Sequence, residues 1–157
     1  MDTVLTFLYI LVLSLWTGGM TIFTFIVTPA IFRSFGRDRA GEIVGVLFPG
    51  YFVYLLTLSG LALLVFFLLG DGRETTAWRT SFVLLSVALL ANTYVTFKLH
   101  PAAVEIKQKI TSFERDAPNT PERRAFRRLH ALSAVLNLLV LAIGAVLLFL
   151  SRRLVMG

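Results

Sequence analysis

The stretch TVLTFLYILVLSLWTGGMTIFTFIVTPAIF, Thr3–Phe32, holds no Asp, Glu, Lys or Arg. About 20 residues at 1.5 Å rise cross the roughly 30 Å hydrocarbon core of a bilayer, so this run is long enough to span it. The absence of charge recurs over Ile43–Gly70, Thr80–Phe97 and Leu129–Ser151. Each run reaches the roughly 18 residues that mark a candidate span. We read spans at about residues 4–29, 46–69, 78–99 and 129–151. The fold class expected is all-α: a four-transmembrane-helix bundle forming one integral membrane domain over residues 1–157. No linker is long enough to divide it.

Composition agrees. The chain is 57% hydrophobic and only 15% charged, where soluble domains carry roughly 25% charged residues. It has no cysteine, which removes disulfides, thiolate metal sites and thiol catalysis. The N-terminal run has no Lys or Arg before it, carries Asp2 instead, and ends in no small-x-small cleavage site. It therefore reads as a retained first helix, not a cleaved signal peptide.

Basic residues are unevenly placed. Arg33, Arg37 and Arg39 follow span 1; Lys98, Lys107, Lys109, Arg115, Arg123, Arg124, Arg127 and Arg128 lie between spans 3 and 4. The opposite side has Arg73, Arg79, Arg152 and Arg153. This bias predicts that both termini lie outside and the long connection lies in the cytoplasm, with a bacterial plasma membrane as the expected location. The partners expected are membrane lipids, with anionic headgroups at the cytoplasmic face, and no nucleic acid. A homo-oligomer or a larger membrane complex stays open.

Between the spans, Asp38 is placed to cap a helix near Arg39, giving a short interfacial helix that runs into span 2 near Pro49 and Gly50. Ala102–Arg115 reads as a cytoplasmic amphipathic helix. Thr120 before Pro121 is a helix start, and the last helix is expected to run unbroken from Pro121 to Arg152. No internal repeat or low-complexity segment is evident.

The polar residues inside the spans carry the functional reading. In span 1, Ser14 and Gly18 form a small-xxx-small pair for helix packing, and Trp16 sits at mid-depth, facing the bundle. Thr17, Thr21, Thr24 and Thr28 share one helix face. Span 3 carries Asn92, Thr96 and His100; the last helix carries Arg127, His130, Ser133 and Asn137. Each asparagine lies roughly 11–12 Å from the histidine on its own helix, so antiparallel helices can match His100 with His130 and Asn92 with Asn137. Thr21, Thr24 and Tyr51 would complete a polar interior open to the cytoplasm. Polar groups at this depth are costly unless they face partners or water.

The bland alternatives are interhelical hydrogen bonds for the asparagines and interfacial positions for the histidines. No Ser–His–Asp, Walker, HExxH or paired-carboxylate pattern is present, so an enzyme is not expected and no catalytic residue is assigned. No cofactor and no metal are expected; two histidines as axial ligands to a haem form a minor alternative.

The segments LWTGGMTIFTFIVTPAIF, AGEIVGVLFPGYF, NTYVTFKLHP and RRLHALSAVLNLLVL occur in this order and spacing. Together they resemble the transmembrane-protein-205-like family, small four-span proteins defined by a domain of unknown function. The resemblance implies a four-helix membrane fold. It marks Trp16, Gly18, Pro29, Pro49, Tyr51, Asn92, His100, Pro101, Arg128, His130, Ser133 and Asn137, and implies little about activity. Three readings remain: a bundle whose interior binds or passes a small solute or ion, an accessory or scaffold subunit of a larger complex, and a haem carrier.

Overall fold

The computed structural model describes residues 3–70 and 75–156, with residues 152–156 as backbone only. Arg73, and the side chains of Arg152 and Arg153, lie outside the described residues. Every regular element among the described residues is helical: α1 (Thr3–Ile22), α2 (Thr28–Ser34), α3 (Arg37–Leu69), α4 (Thr76–Tyr94), α5 (His100–Gln108) and α6 (Pro121–Met156). A π turn, Phe23–Val27, joins α1 to α2, and a second, Val95–Leu99, joins α4 to α5. The result is four rods, Thr3–Ser34, Arg37–Leu69, Thr76–Gln108 and Pro121–Ser151, each long and apolar enough to cross a membrane.

The rods pack as an up-and-down square. α1 lies on α3 and α6, and α4 lies on the same two, so rods 1 and 3 are diagonal, as are rods 2 and 4. Toward the terminal end, Tyr9, Leu13, Trp16, Phe66, Leu85 and Leu147 fill the centre. The outward faces are apolar too: Val4 is 65% exposed and Leu90 69%. Large hydrophobics all round the outside, with Ser59 and Asn92 buried inside, are the arrangement of a bundle solvated by acyl chains. The chain is an integral membrane protein.

Both π turns have one cause. Pro29 and Pro101 lack an amide N–H, and their rings crowd the carbonyl four residues back. Widening the preceding turn relieves this: the Thr28 amide donates to Phe23 O and the His100 amide to Val95 O, each five residues back. The two turns share a sequence that the reading above passed over, Thr-Phe-x-x-x-Pro-Ala, at Thr24–Ala30 and again at Thr96–Ala102. The chain thus repeats one device in its two parallel rods. Pro49, by contrast, sits inside an unbroken α3.

Two local expectations need correction. Asp38 does not cap its own helix, which starts at Arg37 after Gly36. Its carboxylate instead accepts from Ser112 Oγ and the Phe113 amide, each at 2.5 Å. The amphipathic helix ends at Gln108, not Arg115, because residues 109–120 turn back on themselves. Ser112 N donates to Asp116 Oδ2, and buried Arg123 donates to Asp116 O and Phe113 O. Arg123 also lies over the Phe113 ring, 5.5 Å from its centre. Lys107 reaches across to Gly41 O. The connection between rods 3 and 4 is therefore tied down to the start of α3. At its end, the Thr120 hydroxyl accepts from Arg123 N, a capped start for α6.

Candidate functional site

Within the half of the bundle nearer this connection, Asn137 of α6 is the junction. Its Nδ2 donates to Thr24 Oγ1 at 2.9 Å, and its Oδ1 accepts from the Tyr51 hydroxyl at 2.7 Å. One amide thus ties three rods together. The π turn makes this work: it presents Thr24 to Asn137 while Phe23 stacks on the Tyr51 ring, 4.1 Å between centres and 14° from parallel.

Asn92 is 5% exposed and serves the other side of the interior. Its Nδ2 donates to Ser59 Oγ at 3.1 Å and to Leu55 O at 3.4 Å, both on α3. Asn92 and Asn137 therefore do not bond each other, as matched depth alone had suggested. Each amide donates to an adjacent rod, and Asn137 also accepts from Tyr51 on the diagonal one. They do face the same small cavity, lined also by Ser133, Phe52, Val95 and Leu136. Its volume is about 10 Å³, roughly the space of one water.

The histidines do not meet at a shared site. His100 packs against Phe48 and Phe52 of α3, with ring centres 6.3 and 5.0 Å away. Phe52 also lines the cavity, so it stands between His100 and the asparagines. His130 is exposed and stacks on Phe126 of its own helix. Among the described residues, no group of three or more His, Cys, Asp or Glu side chains gathers for a metal.

Other candidates fall elsewhere. Thr21 is exposed and bonds back to Thr17 O, and Thr96 bonds back to Asn92 O, the usual local satisfaction of threonine in a helix. Arg127 is exposed and donates to Pro118 O. Trp16 is fully buried in the bundle. Ser14 is exposed, and a Cβ added at Gly18 would touch nothing within 4 Å, so that pair does not pack rods together. The close approach is made by Gly144, where a Cβ would lie 2.5 Å from Thr17 Oγ1. Ser59 and Gly144 were missed because a lone serine or glycine in an apolar run has no pattern of its own. The repeated Thr-Phe-x-x-x-Pro-Ala signals the π turn that begins at Phe23, but not Phe23 itself.

A second feature adjoins the first. Between rods 1 and 2 a groove of about 360 Å³ opens sideways, lined by Gly19, Phe23, Val27, Leu47, Gly50 and Tyr51. Tyr54 closes one end of it, its hydroxyl donating to Leu15 O. Tyr51 is thus the wall between the groove and the interior.

Residues 11–112 match the model of a family described as a domain of unknown function, DUF4149. That segment includes Thr24, Tyr51, Asn92 and His100 and stops before Asn137. A protein of Aquifex aeolicus (strain VF5), described as uncharacterized, is 30% identical over 145 residues, spanning 90% of this chain and 93% of the relative. No solved structure matches.

Proposed function

We propose that this chain, which belongs to the family defined by a domain of unknown function, DUF4149, is a non-enzymatic membrane bundle that holds a small polar species or ion in its interior. The observation that carries this reading is the shared cavity, where Asn92, Ser133 and Asn137 come from two rods to one space. Asn137 is bonded to Thr24 and Tyr51 and Asn92 Nδ2 to Ser59, so the groups left to meet a polar guest there are Asn92 Oδ1 and the Ser133 hydroxyl. At about 10 Å³ the cavity fits a water-sized guest. Anything larger needs Phe52 or Tyr51 to move. Phe52 closes the path from His100 and the cytoplasm; Tyr51 closes the path from the lateral groove. The haem alternative has no support, because His130 faces outward.

The chain has no cysteine, which makes the test clean. A Ser133→Cys variant in inside-out vesicles should react with a small, membrane-impermeant thiol reagent. Leu147→Cys, in the filled core away from the cavity, should stay unlabelled. Protection of both positions would defeat the solute reading.

A second reading, an accessory subunit, draws support from the opposite half of the bundle. There Leu13, Trp16, Leu85 and Leu147 are wholly buried and pack into one apolar core. Co-purification with a larger membrane complex, together with unlabelled Ser133→Cys, would favour it.

A further inference from the structure

We infer that the groove between rods 1 and 2 is a binding site for one acyl chain of an anionic phospholipid, with its headgroup held at Arg33 and Arg37. The first observation is Gly50. Glycine inside a helix is costly relative to alanine, yet a Cβ at Gly50 would meet nothing within 4 Å. No contact within the chain requires its smallness, but it leaves the floor of the groove open.

The second observation is the dimension of the groove. Gly19 to Val27 spans roughly 12 Å along the rod, most of the about 15 Å of hydrocarbon in one leaflet. The third is the π turn, which supplies Phe23 and Val27 to the wall and so shapes the groove at the depth of a single leaflet.

The fourth is charge. Arg33 lies six residues beyond Val27 in α2, and Arg37 opens α3 ten residues before Leu47. Both are exposed, and the ion pairs among the described residues engage neither. Glu114 lies against Gly36 and offsets part of this charge. Arg39, paired with Glu42 at 2.9 Å, is already occupied. At about 1.5 Å per residue these arginines lie roughly 9 Å beyond Val27 and roughly 15 Å beyond Leu47 along their rods, an axial offset that suits a phosphate whose chain runs down the apolar slot.

The test is native mass spectrometry of the protein released from nanodiscs of equal phosphatidylglycerol and phosphatidylethanolamine. The wild type should retain one lipid, with a preference for phosphatidylglycerol of roughly thirtyfold for two arginines. Gly50→Leu should lose the retained lipid, with helicity by circular dichroism unchanged. Gly60→Leu, also at an open position in α3, should keep it. Arg33→Gln with Arg37→Gln should keep a lipid but lose the preference. Release of wild-type protein without lipid, equal retention of both lipids, or equal retention by the two leucine variants would each overturn the proposal. So would a dimer that Gly50→Leu alone dissolves, because a second copy would then fill the groove. The wild-type measurement decides without any variant that fails to fold.

Discussion

The Tyr51 hydroxyl donates to Asn137 Oδ1 at 2.7 Å across the diagonal of the bundle, joining two rods whose backbones do not touch. The same amide holds Thr24, so one side chain fixes the spacing of three rods. This bond sits where the interior cavity, the lateral groove and the first π turn come together.

Removing either partner should therefore cost stability, and the costs should not add. Tyr51→Phe leaves Asn137 Oδ1 without its donor and should cost about 1 kcal/mol; Asn137→Leu strands two hydroxyls and should cost about 1–3 kcal/mol. The double variant should cost less than the sum by roughly 1 kcal/mol. Unfolding in detergent micelles measures all three. Strict additivity would mean that the bond contributes nothing.

Helix packing should be lost at Gly144 and spared at Gly18. A Cβ at Gly144 would lie 2.5 Å from Thr17 Oγ1 and 3.5 Å from Thr17 Cβ. Gly144→Val should thus destabilise by the roughly 1–3 kcal/mol of an overpacked core. Thr17→Ala should recover part of it by removing the obstructing hydroxyl. Gly18→Ala should be neutral or slightly stabilising, since it meets open space and gains helix propensity. If Gly18→Ala proved the more harmful change, the placement of rods 1 and 4 would be wrong.

The tie between the connection and α3 should weaken in acid. Hydrogen bonds from Ser112 Oγ, then from the Phe113 amide, hold the Asp38 carboxyl below its ordinary range, outweighing desolvation; the charges of Arg115 and Arg123 add to the lowering. A carboxyl with a depressed folded value stabilises fully above its unfolded value, about 3.9, and loses that contribution as pH falls through the folded value. Hydrogen-exchange protection at residues 109–120, taken relative to the intrinsic rate at each pH, should be high at neutral pH and fall below about pH 4. Asp38→Asn should show low protection at both. Protection independent of pH in the wild type would show that Asp38 does not hold this segment.

Much of this fold was legible because charge spacing alone marks rods in lipid. Four charge-free runs predicted four rods, and Thr120–Pro121 marked the start of α6. The interior was legible only in part. Periodicity placed Asn92, Ser133 and Asn137 on inward faces, but it says nothing about which neighbour wins a hydrogen bond. Ser59 and Tyr51 won because they sit on α3, which touches α4 directly and reaches α6 through a long phenol. Thr21 was misplaced for a geometric reason. The π turn begins just after it, and one extra residue in a turn swings the face that Thr21 would otherwise share with Thr24.

Topology gives the last prediction. Eleven of the fifteen basic residues lie at the connection end. The folded chain draws several of them into its own contacts: Lys107 donates to Gly41 O, Arg123 to Phe113 O and Asp116 O, and Arg127 to Pro118 O, while Arg39 and Lys109 pair with Glu42 and Glu105. All eleven weigh against the four that the sequence sets beyond the other ends of the spans. Positive charge at the ends of spans resists translocation, so the connection should face the cytoplasm. Single cysteines in this cysteine-free chain report this directly. Asn119→Cys, in the exposed turn before α6, should react with an impermeant thiol reagent only after the membrane is inverted or opened. Thr76→Cys, at the exposed start of α4, should react in intact cells. The reverse pattern would turn the bundle over. The groove would then lie in the outer leaflet and the cavity would face the exterior.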